Sequence, residues 1–91
     1  MNAQEEPVSW LVLEPGWEVV ASDGTELGRV SSVLGDTEED IFNGLSVSPG
    51  LLRAARYVPA ERVDSIVAGR VKLDLTPADF ERLPEARDAA P

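Results

Sequence analysis

The side chains that could carry chemistry in this 91-residue sequence are carboxylates, arginines and a few aromatic rings, because it contains neither cysteine nor histidine. Without cysteine there are no disulfides, thiolate nucleophiles or zinc–thiolate sites. Without histidine the commonest general base and the commonest transition-metal ligand are missing. These two absences argue against most kinds of active site, and we therefore expect a protein that is not an enzyme.

The densest group of carboxylates is the acidic run Asp36-Thr37-Glu38-Glu39-Asp40. Carboxylate oxygens are hard ligands that suit calcium or magnesium. The run does not follow the EF-hand pattern, because Ile41 stands where that loop requires glycine. We therefore interpret the run as a solvated loop, and we predict neither a metal site nor any other bound cofactor.

Two further carboxylates, Glu18 and Glu26, flank the pair Asp23-Gly24. If that pair forms a tight turn, Glu18 and Glu26 would face each other across a hairpin, and paired carboxylates can perform acid–base catalysis. On an acidic surface such carboxylates more often serve solubility. The sequence therefore predicts no catalytic residue.

Positive charge in the second half of the sequence includes four clustered arginines, Arg53, Arg56, Arg62 and Arg70. They could form one basic face that meets an acidic partner or the acidic half of another copy. The favoured alternative is pairing within the chain, with the nearby acids Glu61, Asp64 and Asp74. The planar guanidinium group suits either role, and Arg53 and Arg56 are the arginines predicted as candidate interface residues.

The formal net charge is −9, and it resides in the first half of the chain. Residues 1–45 contain ten acids and one base, Arg29, whereas residues 46–91 contain seven acids and seven bases. Proteins that bind nucleic acid usually carry the opposite sign, because neutralising phosphates dominates their affinity. Direct contact with nucleic acid is therefore disfavoured, and a protein partner is the better prediction.

Short apolar runs, separated by turn residues every eight to twelve positions, indicate an all-β barrel or sandwich. We predict five to seven short antiparallel strands, within the ranges 8–13, 17–22, 26–34, 41–47, 56–60, 65–68 and 71–75. Asp23-Gly24 is a favoured connection for a tight hairpin. In the strand that follows, Leu27, Val30 and Val33 do not alternate, so we expect a β-bulge at Gly28 to shift the inward face by one residue.

A short helix is predicted after the last strand. Thr76 can cap its N-terminus, and Pro77 suits the first helical position. Phe80 and Leu83 lie three residues apart and so share one helix face, which could plug one end of the barrel. Pro84 ends the helix.

The run Val8–Leu13 is the segment whose pattern fits a monomer least well. Read as a strand, it presents apolar side chains on both faces at the edge of a small barrel. Such a strand either packs across the barrel or pairs with another chain by β-augmentation. Tryptophan is enriched at binding hot spots, so we predict Trp10 as an interface anchor, accompanied by Leu11, Val12 and Leu13.

Three stretches of the chain together resemble the PRC-barrel family. The first is residues 16–30, GWEVVASDGTELGRV, in which a strand, an Asp-Gly turn and a strand opening with Leu-Gly-x-Val follow one another. The second is residues 56–66, RYVPAERVDSI, in which Val-Pro leads into a short turn and a Val-x-x-Ile strand. The third is the alternating run of residues 71–75.

This resemblance implies a small SH3-like β-barrel, a fold found in the photosynthetic reaction-centre H subunit and in a ribosome-maturation factor. The sequence lacks the membrane helix of the first and the additional RNA-facing domain of the second, so neither function transfers. Many stand-alone members of the family have no assigned role.

The expectations for the whole molecule follow from these patterns. We predict one domain at residues 8–83, with flexible tails at residues 1–7 and 84–91. The N-terminus has no basic residue and the longest apolar run is far shorter than the roughly 20 residues of a membrane span, so a cytoplasmic location is expected. The predicted function is non-enzymatic binding or assembly through protein contacts, including self-association as a homodimer. The alternatives are an accessory role in RNA or ribosome processing, by family analogy, or binding of a small ligand or metal ion.

Overall fold

In the computed structural model, which describes residues 6–50 and 53–86, six strands form one curled sheet with the order β4-β3-β2-β1-β6-β5. The strands are β1 (Glu18–Val20), β2 (Glu26–Asp36), β3 (Ile41–Ser48), β4 (Arg56–Pro59), β5 (Val63–Val67) and β6 (Arg70–Leu73). Two 3₁₀ turns, Trp10–Val12 and Ala60–Arg62, and one helix, α1 (Pro77–Glu81), complete the described elements. The prediction of an all-β small barrel with one short C-terminal helix is confirmed.

Alternating side chains of the strands fill the inside of the curled sheet. Leu45 and Val47 of β3 and Val71 and Leu73 of β6 are fully buried at every second position, as one face of a strand requires. Phe80 of α1 is also fully buried and belongs to the same cluster. Burying each such side chain contributes roughly 1.5–3 kcal/mol, so this cluster is the main source of stability.

The helix α1 begins as the sequence predicts. The Thr76 hydroxyl accepts a hydrogen bond from the Asp79 amide at 3.1 Å, and Pro77 follows at the first helical position. Phe80 is buried in the core and Leu83 packs against the same cluster. The helix ends at Glu81, however, so the prediction that it continues to Pro84 with Leu83 on the same helix face is wrong. No helix among the described residues is long and apolar enough to cross a membrane.

The hairpin between β1 and β2 forms at Asp23-Gly24, as predicted. The Asp23 carboxylate accepts a hydrogen bond from the Thr25 amide at 2.9 Å, and the Gly24 amide donates to the Ala21 carbonyl. Val19 lies opposite Gly28, whereas Val20 lies opposite Glu26, so one extra residue of β2 is accommodated beside Gly28. This is the predicted bulge, and it explains why the apolar residues of β2 do not alternate.

One pairing differs from the predicted antiparallel arrangement. Val19 of β1 lies beside Val71 of β6 in a parallel ladder. Parallel neighbours need a long crossover, and here β2 to β5 supply it by winding round the barrel between β1 and β6. The parallel pair therefore joins the start and the end of the barrel, while the other strand pairs of the described residues are antiparallel.

The predicted strand at Val8–Leu13 is wrong. The Ser9 hydroxyl accepts a hydrogen bond from the Leu11 amide at 3.1 Å, and the Leu13 amide donates to the Trp10 carbonyl at 3.0 Å, which closes a 3₁₀ turn. With three residues per turn, Trp10 and Leu13 fall on one side. Leu13 is buried in the core, whereas Leu11 and Val12 are 47% and 50% exposed. The apolar run therefore forms a turn in which Trp10 and Leu13 face the core and Leu11 and Val12 face solvent.

Chain segments next to both termini pair with the two edge strands. At the β5 edge, Pro7 forms a bridge with Val67, and the Val8 amide donates to the Ile66 carbonyl at 2.9 Å. At the β4 edge, the Tyr57 amide donates to the Pro84 carbonyl at 3.0 Å, and the Ala86 amide donates to the Ala55 carbonyl at 2.8 Å. Of the predicted tails, residues 1–5 and 87–91 lie outside the described residues.

Candidate functional site

Trp10, the predicted interface anchor, is engaged inside its own chain. Its ring stacks on Phe42 of β3 with centroids 5.2 Å apart and planes 16° from parallel. Its indole N–H donates to the Asp40 carboxylate at 2.8 Å. The 3₁₀ turn therefore holds the ring against the start of β3. Of the four apolar residues predicted at the interface, Leu11 and Val12 are the two left exposed.

The absence of a side chain at Gly35 makes room for the Trp10 ring. A Cβ atom at Gly35 would lie 3.0 Å from the Trp10 Cη2 atom and would clash with the Ile41 carbonyl. The tryptophan can therefore reach the β2–β3 hairpin only because residue 35 is glycine. Nothing in the local pattern of Val8–Leu13 indicates this contact.

A groove open to solvent lies at the same end of the β2–β3–β4 sheet. It has a volume of about 820 Å³. Its lining consists of Leu34, Phe42, Asn43, Tyr57, Pro59, Ala60 and Glu61. Phe42 belongs both to the groove and to the Trp10 stack, so the 3₁₀ turn supports the groove from outside its lining. We call this surface the aromatic groove.

The Tyr57 ring is held across β3 by its neighbours. Its hydroxyl donates to the Asn43 carbonyl at 2.8 Å. A Cβ atom at Gly44 would lie 2.9 Å from that hydroxyl oxygen and would clash with the Val58 carbonyl, and Gly44 has a φ of 155°. Glycine at this position thus permits both the backbone conformation and the close approach of the ring. As a result Tyr57 presents a fixed apolar surface to the groove.

The sequence did not identify the aromatic groove as a site. Its members come from β2, β3, β4 and the following 3₁₀ turn, which are far apart along the chain. The available signal was aromatic content: three of the five aromatic residues, Trp10, Phe42 and Tyr57, gather at this end of the sheet. Recognising that convergence requires the strand register.

The acidic run is organised by hydrogen bonds of its own. The Asp36 carboxylate accepts from the Glu38 and Glu39 amides at 3.0 and 3.2 Å, which is a local turn motif. Asp40 accepts from Trp10. Among the described residues no group of three or more potential ligand side chains is placed to hold a metal ion.

The carboxylate pair considered for catalysis does not form. Glu18 lies opposite Arg29 across the hairpin, and Glu26 lies opposite Val20. Because Val20 already lies opposite Glu26, Glu18 lies two residues farther from the turn. The two carboxylates are thus placed with different partners.

The candidate arginines bind parts of the same chain. The Arg53 guanidinium lies 2.7 Å from the Glu81 carboxylate, and that of Arg56 lies 3.7 Å from it. Arg56 also donates to the Leu83 carbonyl at 2.6 Å. These contacts tie the end of α1 to β4. Glu81 is thus a partner that the sequence did not predict.

Of the acids named as partners for the arginines, Asp74 is contacted through its backbone. Arg62 donates to the Asp74 carbonyl oxygen at 2.8 Å. Arg70 is also engaged in a contact of its own. Arg53 and Arg56 thus share Glu81, whereas Arg62 has a different partner, Asp74.

Comparison with known protein families gives a match over most of the chain. The family model of the PRC-barrel domain matches residues 16–80. No curated protein is significantly similar to the sequence. The matched span contains all six strands, the second 3₁₀ turn and most of α1, and it contains every residue that lines the aromatic groove.

Proposed function

The chain belongs to the PRC-barrel domain family, and from that premise we propose that it is a non-enzymatic binding module whose aromatic groove receives an extended segment of another protein. The observation that carries the proposal is the groove itself. Phe42, Tyr57 and Pro59 supply apolar and aromatic surface, and Asn43 and Glu61 supply polar groups at its rim. Aromatic-lined grooves are a recurrent means of binding extended peptides.

The charge of the molecule defines the partner further. Glu61 is the one charged residue of the groove lining, and the chain as a whole carries a net charge of −9. A negative surface attracts and orients a basic partner and repels an acidic one. We therefore propose a partner segment with an apolar or proline anchor and an adjacent lysine or arginine, which would lie near Glu61.

A binding role fits the groove better than catalysis. Catalysis by proton transfer needs an acid or base with a partner that tunes it. Of the two ionisable lining residues, Tyr57 already donates a hydrogen bond from its hydroxyl group to the Asn43 carbonyl, and Glu61 is exposed. The proposal accordingly assigns no catalytic residue.

The test is selection of random peptides on the immobilised protein, followed by NMR titration of the enriched peptides. We expect enriched sequences to carry a basic residue beside an apolar anchor and to shift the amide signals of Phe42, Tyr57 and Glu61. Tyr57→Ala should weaken binding at least tenfold, about 1.4 kcal/mol, because buried aromatic anchors dominate such interfaces.

Matched variants separate the groove from general charge. Glu61→Gln should weaken binding of the basic peptides, whereas Glu38→Gln, which removes the same charge from the exposed turn, should not. Enrichment of peptides that shift signals elsewhere, or binding that Tyr57→Ala leaves unchanged, would contradict the proposal.

Self-association is a second candidate, favoured by one observation. Leu11 and Val12 are adjacent and 47% and 50% exposed, so together they present a small apolar patch that a second copy could cover. The double variant Leu11→Ser/Val12→Ser should reduce the molar mass measured by light scattering if the parent is a dimer. A parent that remains monomeric at every concentration would rule this candidate out.

A further inference from the structure

We propose a second binding site, for a phosphate group or a similar multivalent oxyanion, in a cleft on the outer face of β1, β6 and β5. The cleft has a volume of about 460 Å³. Its lining consists of Val20, Gly24, Ser65, Val67, Arg70 and Lys72. We call it the basic cleft. It shares no lining residue with the aromatic groove and does not depend on the function proposed above.

The register of β6 places the two cations on one face. Arg70 and Lys72 are two residues apart in the strand, so their side chains point the same way, while Val71 and Leu73 point into the core and are fully buried. Lys72 lies beside Val20 of β1 on one side and beside Ser65 of β5 on the other. The cationic side chains therefore stand over an apolar floor with a hydroxyl group at its edge.

The charge of the cleft is opposite to that of the molecule. Both ionisable residues of its lining are cations, in a chain with a net charge of −9. Two carboxylates border the cleft by register, because Glu18 lies beside Arg70 and Glu26 lies opposite Val20, but neither belongs to the lining, and Lys72 itself lies between Val20 and Ser65. A low-dielectric floor strengthens the local field of such a group. The cleft is thus a local attractive site for an anion.

The two cations have different roles in the proposed site. Arg70 is engaged in a contact of its own, and a guanidinium has five N–H donors, so that Arg70 can donate to an oxyanion as well. Lys72 makes no ion pair with the described residues, and its ammonium group is a compact charge with three donors. The Ser65 hydroxyl can donate a further hydrogen bond. Two cations and a hydroxyl group match the charge and the acceptors of a phosphate dianion.

The surroundings limit the ligand to a single anionic group. The remainder of the first half of the chain is strongly acidic, so a polyanion such as nucleic acid would be repelled beyond the cleft. A phosphate monoester, carried either by a small metabolite or by a phosphorylated side chain of a protein, meets the requirement. Both sources share the chemistry that the cleft recognises.

Lys72 provides a direct probe, because it is the only lysine in the sequence. Reductive ¹³C-methylation retains its charge and yields one side-chain NMR signal besides that of the N-terminal amine. We expect this signal to shift saturably when inorganic phosphate is added, with an apparent Kd in the millimolar range. Sodium chloride at equal ionic strength should not reproduce the shift. A shift of equal size with chloride would overturn the proposal.

Variants locate the site, read by the amide signals of Val20 and Ser65. Lys72→Gln and Arg70→Gln should each weaken phosphate binding about tenfold. Arg82→Gln, which removes an exposed arginine of the helix end outside the cleft, should leave it unchanged. If phosphate shifts no signal of the cleft, or if all three variants behave alike, the site does not exist.

The source of the anion is distinguished by comparing glycerol 3-phosphate with a phosphoserine peptide that has no other charged side chain. Tighter binding of the first supports the site and indicates a metabolite, and tighter binding of the second supports it and indicates a modified protein. Binding of neither by a protein whose melting temperature is normal would overturn the proposal. The random-peptide test of the aromatic groove has a separate outcome, because its variants and signals are different.

Discussion

At the scale of single residues, Trp10 illustrates how a side chain that resembles an interface anchor can serve the protein's own packing. Its ring stacks on Phe42, its N–H binds Asp40, and the missing side chain at Gly35 makes room for it. An exposed anchor would lack such partners. The residue therefore connects the first 3₁₀ turn with the hairpin that carries the aromatic groove.

We expect Trp10→Ala to lower the free energy of unfolding by about 2 kcal/mol, because it removes a half-buried ring and its stacking on Phe42. For a domain of this size that corresponds to a fall in Tm of roughly 8–16 °C. Leu11→Ala is the matched control from the same turn and should change stability by less than about 0.5 kcal/mol, since its side chain is largely exposed. Thermal unfolding followed by circular dichroism measures both. An unchanged Tm for Trp10→Ala would contradict the packing role.

Asp23 is a second residue with a defined physical role. The hydrogen bond from the Thr25 amide, followed by that from the Thr25 side chain, lowers the pKa of the Asp23 carboxyl below its ordinary value of 3.8. A group with a lower pKa in the folded state stabilises the fold above its unfolded pKa. That stabilisation is lost as the pH falls through the lower, folded value.

The expected pH dependence of stability follows from the lowered pKa of Asp23. The difference in stability between the parent and Asp23→Ala should be constant from neutral pH down to about pH 5 and should shrink below pH 3.8. Denaturant unfolding at a series of pH values measures it, and an NMR titration of the Asp23 carboxyl measures its pKa. A difference that grows as the pH falls would show that the Thr25 hydrogen bonds do not govern this carboxylate.

At the scale of elements, the short helix α1 matters because of what it inserts into the barrel. It has only five residues, so its own hydrogen bonds are too few to stabilise it in isolation. Phe80 anchors it in the core, and the contact of Arg53 and Arg56 with Glu81 ties its end to β4. The helix is therefore maintained by tertiary contacts.

Phe80→Ala should destabilise the protein by about 3–5 kcal/mol, because it removes a fully buried aromatic ring and leaves a cavity. Glu81→Gln, the neighbouring change at the exposed ion pair, should cost less than about 1 kcal/mol. Urea unfolding of the two variants gives the comparison. Similar losses for both would indicate that the ion pair, not the plug, holds the helix in place.

The two edge strands of the sheet, β4 and β5, are covered by other segments of the chain. Unpaired edge strands invite association with other chains. Here residues 7–8 lie along β5 and residues 84–86 lie along β4, so backbone groups of both edges are paired within the chain. Strand addition by another chain is therefore less favourable at these edges, and the aromatic groove and the basic cleft are the better candidates for binding.

At the scale of the whole molecule, the uneven charge sets the electrostatic behaviour. Residues 1–45 carry the entire net charge of −9, and self-repulsion of like charges destabilises a compact fold. Added salt shortens the range of that repulsion. The exposed ion pairs, such as that of Arg53 with Glu81, contribute little in the opposite direction.

We therefore expect the Tm to rise when the sodium chloride concentration is increased from about 0.02 M to about 0.5 M. The double variant Glu38→Gln/Glu39→Gln removes two exposed charges of the acidic turn and should reduce this rise. Scanning calorimetry over the salt series measures both effects. A Tm that falls with salt would mean that attractive ion pairs outweigh the repulsion.

The sequence by itself was sufficient for several features whose cause lies within a few residues. The Asp23-Gly24 hairpin, the Thr76 cap, the alternation in β6 and the need for a bulge near Gly28 all depend on local backbone chemistry. These signals, together with the spacing of the apolar runs, also led to the barrel and to the family. The misassigned strand at Val8–Leu13 shows the limit, because period-two and period-three patterns are hard to distinguish in a short apolar run.

Only the tertiary structure decided where the two surfaces that we propose for binding lie. The aromatic groove combines Leu34, Tyr57 and Glu61, and the basic cleft combines Val20, Ser65 and Lys72, which are separated by many residues along the chain. Their proximity depends on strand register and on the parallel closure of β1 with β6. Each bulge shifts register by one residue and so reassigns every neighbour beyond it. That is the physical reason why local patterns predicted the elements and the folded chain determined the sites.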